Sequence, residues 1–244
     1  MKHENKKVTL FIQCLIDSMY PEVGEAMVKI FRKLNIAMDC PLDQTCCGQP
    51  AFNAGYHREA RTAARRFIKI FENAENIVCP SGSCVHMVRH HYPELFKDRP
   101  EWLARTNNVT QKIFEFSEYL VDQLGVEDLD ASFNGRITYH DSCQPLRGLG
   151  IQKQPRKLIS NVRKAEFIEM KNSDICCGFG GSFSVKYPEI STAILEDKVK
   201  NIIDSGANAV VGVDMSCLMN IQGLLNRKQS PIKVMHIAQL LAGQ

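Results

Sequence analysis

The chain contains the stretch IVCPSGSC at residues 77–84 and a related stretch, VVGVDMSC, at residues 210–217. In each, a short apolar and β-branched run leads into a polar turn, and a cysteine closes the stretch. A run of this kind predicts a buried strand, so we expect the closing cysteine just beyond the strand's carboxyl end. Each stretch also lies downstream of a Cys-Cys-Gly triplet, at residues 46–48 and 176–178.

Outward from these stretches, the spacing of the cysteines indicates an internal repeat. Cys14 precedes Cys46 by 32 positions, and the matching pair in the second half is 33 positions apart. Matching cysteines in the two halves are offset by 129 to 133 positions, which is too long a period for a solenoid. The sequence therefore predicts two homologous cysteine-rich lobes, residues 1–130 and residues 131–244.

The apolar pattern within each lobe alternates between short strands and amphipathic helices. In the first lobe it predicts strands at 8–13, 36–40 and 76–79 and helices at 22–34, 56–74 and 84–91. In the second lobe it predicts strands at 136–139, 165–170, 209–213 and 232–235 and helices at 152–162, 189–205 and 217–226, followed by a short closing helix. This alternation predicts an α/β fold of two pseudo-symmetric lobes, each a parallel sheet flanked by helices.

Composition argues against several classes of function. A formal net charge of +3 over 244 residues is too weak to indicate nucleic-acid binding. The sequence has no uninterrupted apolar run near the ~18 residues of a membrane span, and the polar residues 1–7 do not resemble a signal peptide. We therefore expect a cytoplasmic protein without a transmembrane segment. In a reducing compartment, its ten cysteines favour metal binding or chemistry over disulfides.

Eight of the cysteines follow predicted strands, where parallel sheets gather their ligands. We expect four in each lobe to converge as metal ligands: Cys14, Cys46, Cys47 and Cys84, and then Cys143, Cys176, Cys177 and Cys217. Four convergent thiols can bind zinc, an iron–sulfur cluster or each other. The sequence has no Cys-x-x-Cys, which disfavours both zinc knuckles and thioredoxin-type chemistry.

The adjacent cysteines favour a multinuclear centre. Neighbouring side chains of an extended strand point to opposite faces, so Cys46 and Cys47 can share a site only if the backbone turns between them. Gly48 and Gly178 follow the two pairs and permit such a turn because glycine readily adopts positive φ. Two adjacent thiols can then reach different metal atoms.

Several further residues are expected near these thiols. Cys79 either ligates or ends a buried strand, and Cys40, which has no counterpart in the second lobe, is expected in the core. His140 precedes Cys143 on the same edge, where it can donate a hydrogen bond, relay a proton or serve as a structural histidine. Arg147 can raise the potential of an anionic cluster, grip a substrate carboxylate or lie free on the surface.

The repeated pattern Cys-x31-Cys-Cys-Gly-x30-Cys-x4-Cys resembles the CCG cysteine-rich domain, a family that includes the cysteine-rich subunit of heterodisulfide reductase and the glycerol-3-phosphate dehydrogenase anchor subunit. More specifically, the chain resembles the lactate utilisation protein A family over nearly its whole length. The motifs that carry this resemblance are YPEVG (20–24), DQTCCGQPA (43–51), CPSGSC (79–84), TYHDSC (138–143), CCGFGG (176–181) and DMSCLMN (214–220).

The resemblance implies 4Fe–4S clusters, with one per lobe as a possible arrangement, and electron transfer during the oxidation of L-lactate to pyruvate. The chain would be a subunit of an iron–sulfur L-lactate dehydrogenase complex, with a ferredoxin-like iron–sulfur protein and a third subunit as partners. Fuller CCG motifs end in Cys-x-x-Cys and carry five thiols per lobe, whereas Ser81 and Asp214 replace the first of those cysteines here. A four-thiol site follows, with Asp214 as a further oxygen ligand in the second lobe. Alternatives are a structural zinc module and a thiol redox sensor without a cluster.

Overall fold

The chain folds into two compact units in a computed structural model that describes residues 6–243. One unit is Met1–Tyr119 and the other is Leu120–Gln244. The predicted boundary between homologous lobes after residue 130 stays a prediction. The first five residues, part of the segment on which the signal-peptide argument rests, lie outside the described residues.

The first unit is built around a four-stranded parallel sheet with the strand order β2-β1-β3-β4. Its strands are β1 (Lys7–Leu10), β2 (Ala37–Asp39), β3 (Ile77–Cys79) and β4 (Ile113–Glu115). Its helices are α1 (Cys14–Met19), α2 (Pro21–Lys33), α3 (Gln49–Asn53), α4 (His57–Phe71), α5 (Gly82–His86), α6 (Tyr92–Phe96), α7 (Pro100–Thr110) and α8 (Phe116–Glu118). A π-helical turn, Met87–His91, joins α5 to α6, and a second one, Tyr119–Gln123, follows α8 at the boundary between the units.

The second unit repeats this topology, with the parallel strand order β6-β5-β7-β8. Its strands are β5 (Ser132–Tyr139), β6 (Arg163–Phe167), β7 (Ala209–Gly212) and β8 (Lys233–His236). Its helices are α9 (Cys143–Leu149), α10 (Lys153–Ser160), α11 (Ser182–Lys186), α12 (Pro188–Asp204), α13 (Met215–Arg227) and α14 (Ile237–Leu241). The predicted fold class, two parallel sheets flanked by helices, is confirmed.

The strand order of each sheet fixes where a ligand can bind. From β1 the chain moves to β2 on one side and then crosses to β3 on the other, so the gap between β1 and β3 is a topological switch point. Open parallel sheets bind ligands outside the carboxyl ends of the strands at such a point. The same reversal occurs between β5 and β7.

The cores of the two units differ in composition. Beside the first sheet, the rings of Phe11 and Phe67 pack edge-to-face with centroids 4.8 Å apart, and Phe71 packs on both. The core beneath α12 and α13 is aliphatic and includes Val199, Ile221 and two thiols of the second unit. Within residues 6–243, the helices are too short or too polar to cross a bilayer.

Candidate metal centre

The first-unit site, which consists of Cys14, Cys46, Cys47 and Cys84, lies at the β1/β3 switch point. Cys14 is the first residue of α1 beyond β1, and Cys84 lies in the first turn of α5 beyond β3. The adjacent pair occupies the loop between β2 and α3. The Sγ atoms of Cys47 and Cys84 are 3.4 Å apart, and Cys46 interacts with the thiols of both Cys14 and Cys47. The structure thus brings all four together.

The second-unit site, which consists of Cys143, Cys176, Cys177 and Cys217, repeats the arrangement at the β5/β7 switch point. Cys143 begins α9, and Cys217 lies in the first turn of α13. Cys176 interacts with Cys143 and Cys177, and Cys177 interacts with Cys217. None of the eight cysteines forms a disulfide. Their assignment as ligands stays a prediction, but each set of four has the proximity that ligation requires.

A left-handed turn directs each adjacent pair into its site. Gly48 has φ +84° and Gly178 has φ +81°, a conformation that favours glycine. Their N–H groups donate to Cys46 Sγ at 3.4 Å and to Cys176 Sγ at 3.3 Å. A Cβ on Gly178 would collide with the backbone oxygen of Ser191.

The second cysteine of each pair is held through its backbone. The Tyr92 hydroxyl donates a 2.9 Å hydrogen bond to the carbonyl oxygen of Cys47, and the Asn220 side chain donates one of 2.9 Å to the carbonyl oxygen of Cys177. Both donors come from the helical segment that carries the last thiol of the site. The adjacent pair and the distant cysteine are therefore fixed relative to each other.

Ser81 and Asp214 cap the helices that carry the last thiols. Ser81 Oγ accepts a hydrogen bond from the Cys84 N–H at 3.4 Å. Asp214 is buried, and its Oδ1 accepts from the Ser216 N–H at 3.4 Å and from the Ser216 hydroxyl at 2.6 Å. Serine and aspartate are preferred at this position because their oxygens satisfy free N–H groups. The role of Asp214 as an oxygen ligand stays a prediction.

The thiols of each site strongly influence one another's ionisation. Hydrogen bonds from Cys14 and Cys47 lower the pKa of Cys46, and the same contacts raise the pKa values of the two donors. The second-unit site follows the same pattern, with the pKa of Cys176 lowered by Cys143 and Cys177. Because like charges at this separation oppose each other, a bound cation would be needed for all four thiols of a site to ionise together.

His140 lies beside the second-unit site. Its side chain is 1% exposed, and a ring nitrogen lies within 4.8 Å of the sulfurs of Cys177 and Cys217. Neither ring nitrogen has a hydrogen-bond partner of normal geometry among residues 6–243. The hydrogen bond with Cys177 lowers the pKa of Cys217 to about 6, and the interaction of the Cys217 thiol with the His140 imidazole acts in the same direction. His140 therefore lies close to the thiols, as expected from its place three residues before Cys143.

Lys198 on α12 is a site residue that the sequence reasoning missed. It is fully buried, and its Nζ donates to the carbonyl oxygens of Asn172 and Ser173 at 2.9 and 3.0 Å. Burial lowers its pKa to about 8, and the charges of nearby groups, with Cys177 the largest, act in the opposite direction. The helical spacing that places Lys198 on the same face of α12 as Leu195 and Ile202 could have predicted its burial.

A polar network fixes the segments on either side of the second-unit site. Arg156 binds both carboxylate oxygens of Asp141 at 2.8 and 2.6 Å and both of Glu169 at 2.7 Å. The Ser173 hydroxyl donates to Asp141 at 2.8 Å. Asp141 follows His140, and Ser173 precedes Cys176 and Cys177. The network therefore holds in place the two chain segments that lead into the site.

Three other predicted residues have distinct surroundings. Arg147 is exposed, and its guanidinium donates to the carbonyl oxygen of Asp174 at 3.2 Å, so it tethers the loop before Cys176. Cys79 is the fully buried last residue of β3, and its ligand role stays a prediction. The expectation that Cys40 is in the core is wrong: it is exposed because it follows β2, an edge strand of the sheet.

Comparison with known families agrees with this arrangement. The CCG family, described as a cysteine-rich domain, matches residues 8–89 and 137–222. These two ranges contain the eight cysteines of the two sites. Fold and site together define the class: a tandem cysteine-rich domain protein.

Comparison with individual proteins identifies the family within this class. The chain is 48% identical over 236 residues to lactate utilization protein A of Exiguobacterium sp. strain AT1b, which covers 96% of each chain. It is 44% identical over 235 residues to the protein of the same name from Bacillus subtilis strain 168, covering 96% of this chain and 98% of the relative. The chain belongs to the lactate utilization protein A family.

A solved structure supports the fold alone. The crystal structure of a hypothetical protein from Helicobacter pylori matches 99% of this chain with a TM-score of 0.62 and 12% identity. This chain spans about half of that protein, 49% of its length.

Proposed function

We propose that this chain is an iron–sulfur electron-transfer subunit of a complex that oxidises L-lactate to pyruvate. The observation that carries the proposal is the convergence of four thiols at the switch point of each sheet, once in each unit. The substrate comes from the name shared by the relatives, lactate utilization protein A. Electron transfer, and not the oxidation of lactate itself, is the role assigned to this chain.

The donor set supports a cluster of the 4Fe–4S type in each lobe. Thiolates are the ligands that iron–sulfur clusters use, and the glycine turn lets two adjacent thiols face one centre. Such a centre carries one electron at a time when it is bound. Oxidation of L-lactate to pyruvate releases two electrons and two protons, so two one-electron centres match the number of electrons to be carried.

The electrons require partners that this chain does not supply. We propose a ferredoxin-like iron–sulfur protein and a third subunit as those partners, in the cytoplasm, as the family resemblance implies. The backbone N–H groups of Gly48 and Gly178, which donate to thiols, favour the anionic state of a cluster bound beside them.

Anaerobic purification tests the proposal directly. We expect about four iron and four sulfide per site, hence about eight of each per chain, together with visible charge-transfer absorption and an EPR signal after reduction. Cys47→Ser and Cys177→Ser should each remove about half of the iron, while Cys40→Ser, at an exposed cysteine outside both sites, should remove none. A wild-type protein that contains no iron would refute the proposal.

Zinc is the second candidate in the second unit. One ring nitrogen of His140 and the sulfurs of Cys177 and Cys217 lie within 4.8 Å of one another, a nitrogen and sulfur donor set that suits zinc. Elemental analysis separates the two candidates, because a zinc module would contain zinc without sulfide and would lack visible absorption.

A further inference from the structure

We propose that His140 is a ligand of the second-unit centre, so that the two units hold chemically different centres. The first would be bound by its four thiolates, and the second by three of its thiolates together with one imidazole in place of the fourth. This inference rests on the proposed function to the extent that the cysteines must bind a metal or a cluster.

The surroundings of His140 are those of a ligand without its metal. Polar atoms inside proteins are nearly always hydrogen-bonded, because water has been removed from them. Both ring nitrogens of His140 are buried, and among the described residues neither has a hydrogen-bond partner of normal geometry, although the ring interacts with the Cys217 thiol. A metal bound at the thiols would give one of these nitrogens the partner it lacks.

The distances are compatible with ligands of one centre. Metal–sulfur bonds of about 2.3 Å and metal–nitrogen bonds of about 2.0–2.1 Å place the ligand atoms of a single tetrahedral ion less than about 4 Å apart, and ligands on neighbouring irons of a cluster lie farther apart than that. The donor atoms of His140, Cys177 and Cys217 all lie within 4.8 Å of one another. Small rotations of these side chains would close the remaining gap.

Comparison of the units shows that this histidine is specific to the second. His140 and Phe11 each lie three residues before the first cysteine of their site. In α4 and α12 the buried positions correspond one to one, which pairs Phe67 with Lys198.

The two positions at which the units differ, Phe11 against His140 and Phe67 against Lys198, are neighbours in the fold. In the first unit Phe11 and Phe67 are in contact, with ring centroids 4.8 Å apart. In the second unit the same two positions carry His140 and Lys198, both fully or almost fully buried. An aromatic contact beside one site is thus replaced by a pair of nitrogen-bearing side chains beside the other.

A different ligand set would separate the two centres in potential. Imidazole ligation raises the reduction potential of an iron–sulfur centre relative to ligation by thiolates alone. The second-unit centre would therefore accept an electron before the first-unit centre does. The duplicated sites would then act in a fixed order and not as equivalent carriers.

Pulsed EPR on the reduced, anaerobically purified full chain tests the ligand. We expect a strong nitrogen coupling that shifts with ¹⁵N-histidine labelling and is lost in His140→Phe, the residue type of the first unit. His90→Phe, at an exposed histidine, should leave the coupling unchanged. His140→Cys guards against misfolding, because it keeps a donor at the position and should retain iron while losing the nitrogen coupling.

The outcomes separate this inference from the proposed function. An iron-loaded wild-type protein without strong nitrogen coupling, or a coupling that survives His140→Phe, would overturn the ligand assignment and leave the electron-transfer role intact. A protein that contains zinc and no iron would overturn the electron-transfer role. In that case zinc-edge X-ray absorption would show imidazole scattering that depends on His140 if the assignment is correct, and none if it is wrong.

Discussion

Replacing Gly178 by alanine tests whether the turn after the adjacent cysteines is confined by its surroundings. Gly178 has φ +81°, and a Cβ at this position would collide with the backbone oxygen of Ser191. That oxygen belongs to α12 and cannot move alone. Gly125, in the same unit, has φ +65° and no atom within 4 Å of an added Cβ, so Gly125→Ala introduces backbone strain without a collision.

The two substitutions share one energy term and differ in another. A left-handed conformation costs an L-residue about 1–2 kcal/mol, and overpacking adds about 1–3 kcal/mol for Gly178→Ala alone. For a chain of this size, 1 kcal/mol shifts the thermal midpoint by about 2–4 °C. Gly178→Ala should therefore melt about 2–12 °C below Gly125→Ala in parallel anaerobic scans.

Iron content provides a second measurement on the same variants. The collision displaces the turn that aims Cys176 and Cys177, so Gly178→Ala should also lose metal from the second-unit site, whereas Gly125→Ala should not. Equal melting temperatures and equal iron content in the two variants would refute the steric reasoning.

Three further substitutions test other parts of the structure. Asp214→Ser keeps a capping oxygen, so the melting temperature should change little, while Asp214→Ala should cost about 1 kcal/mol; iron loss in the serine variant would instead indicate that the carboxylate is a ligand. Lys198→Met removes a buried cation and should lower the midpoint potential of the second-unit centre in an EPR-monitored redox titration, whereas Lys200→Met, at an exposed position of α12, should not. Burial raises the pKa of Glu115 to about 8, so the folded state keeps a proton that the unfolded state releases above about pH 4.5, and stability falls between about pH 4.5 and 8. Denaturant titrations at pH 5 and pH 8 measure this loss of stability, and Glu115→Gln should make it smaller. An equal loss in the wild type and the variant would contradict the raised pKa of Glu115.

The parts of the site that sequence could predict follow from periodicity and topology. Two cysteine patterns in the same order, each falling after short apolar runs, are enough to place the thiols at the carboxyl ends of parallel strands. Gly48 and Gly178 could be expected to turn because adjacent thiols cannot otherwise face one centre. These inferences need only the direction of each strand and not its neighbours.

The parts that could not be predicted depend on packing between distant segments. The exposure of Cys40 follows from the edge position of β2, which the local sequence does not encode. In helix α7 (Pro100–Thr110) only Thr106 and Val109 are buried. Its apolar periodicity is therefore too weak to predict the helix from sequence. Lys198 was overlooked because a lysine on the inner face of a helix is rarely buried.

The Cys14 thiol is exposed, whereas Cys47 and Cys84 are buried. Whatever the first-unit site binds is therefore open to solution at one corner, beside the start of α1. Under the proposed electron-transfer role, a redox partner would have its shortest approach there, and dioxygen would reach the site by the same path. In the second unit the corresponding Cys143 is half-buried, so air should bleach the first-unit centre sooner than the second. A partner bound over Cys14 would shield the first-unit centre from oxygen during electron transfer.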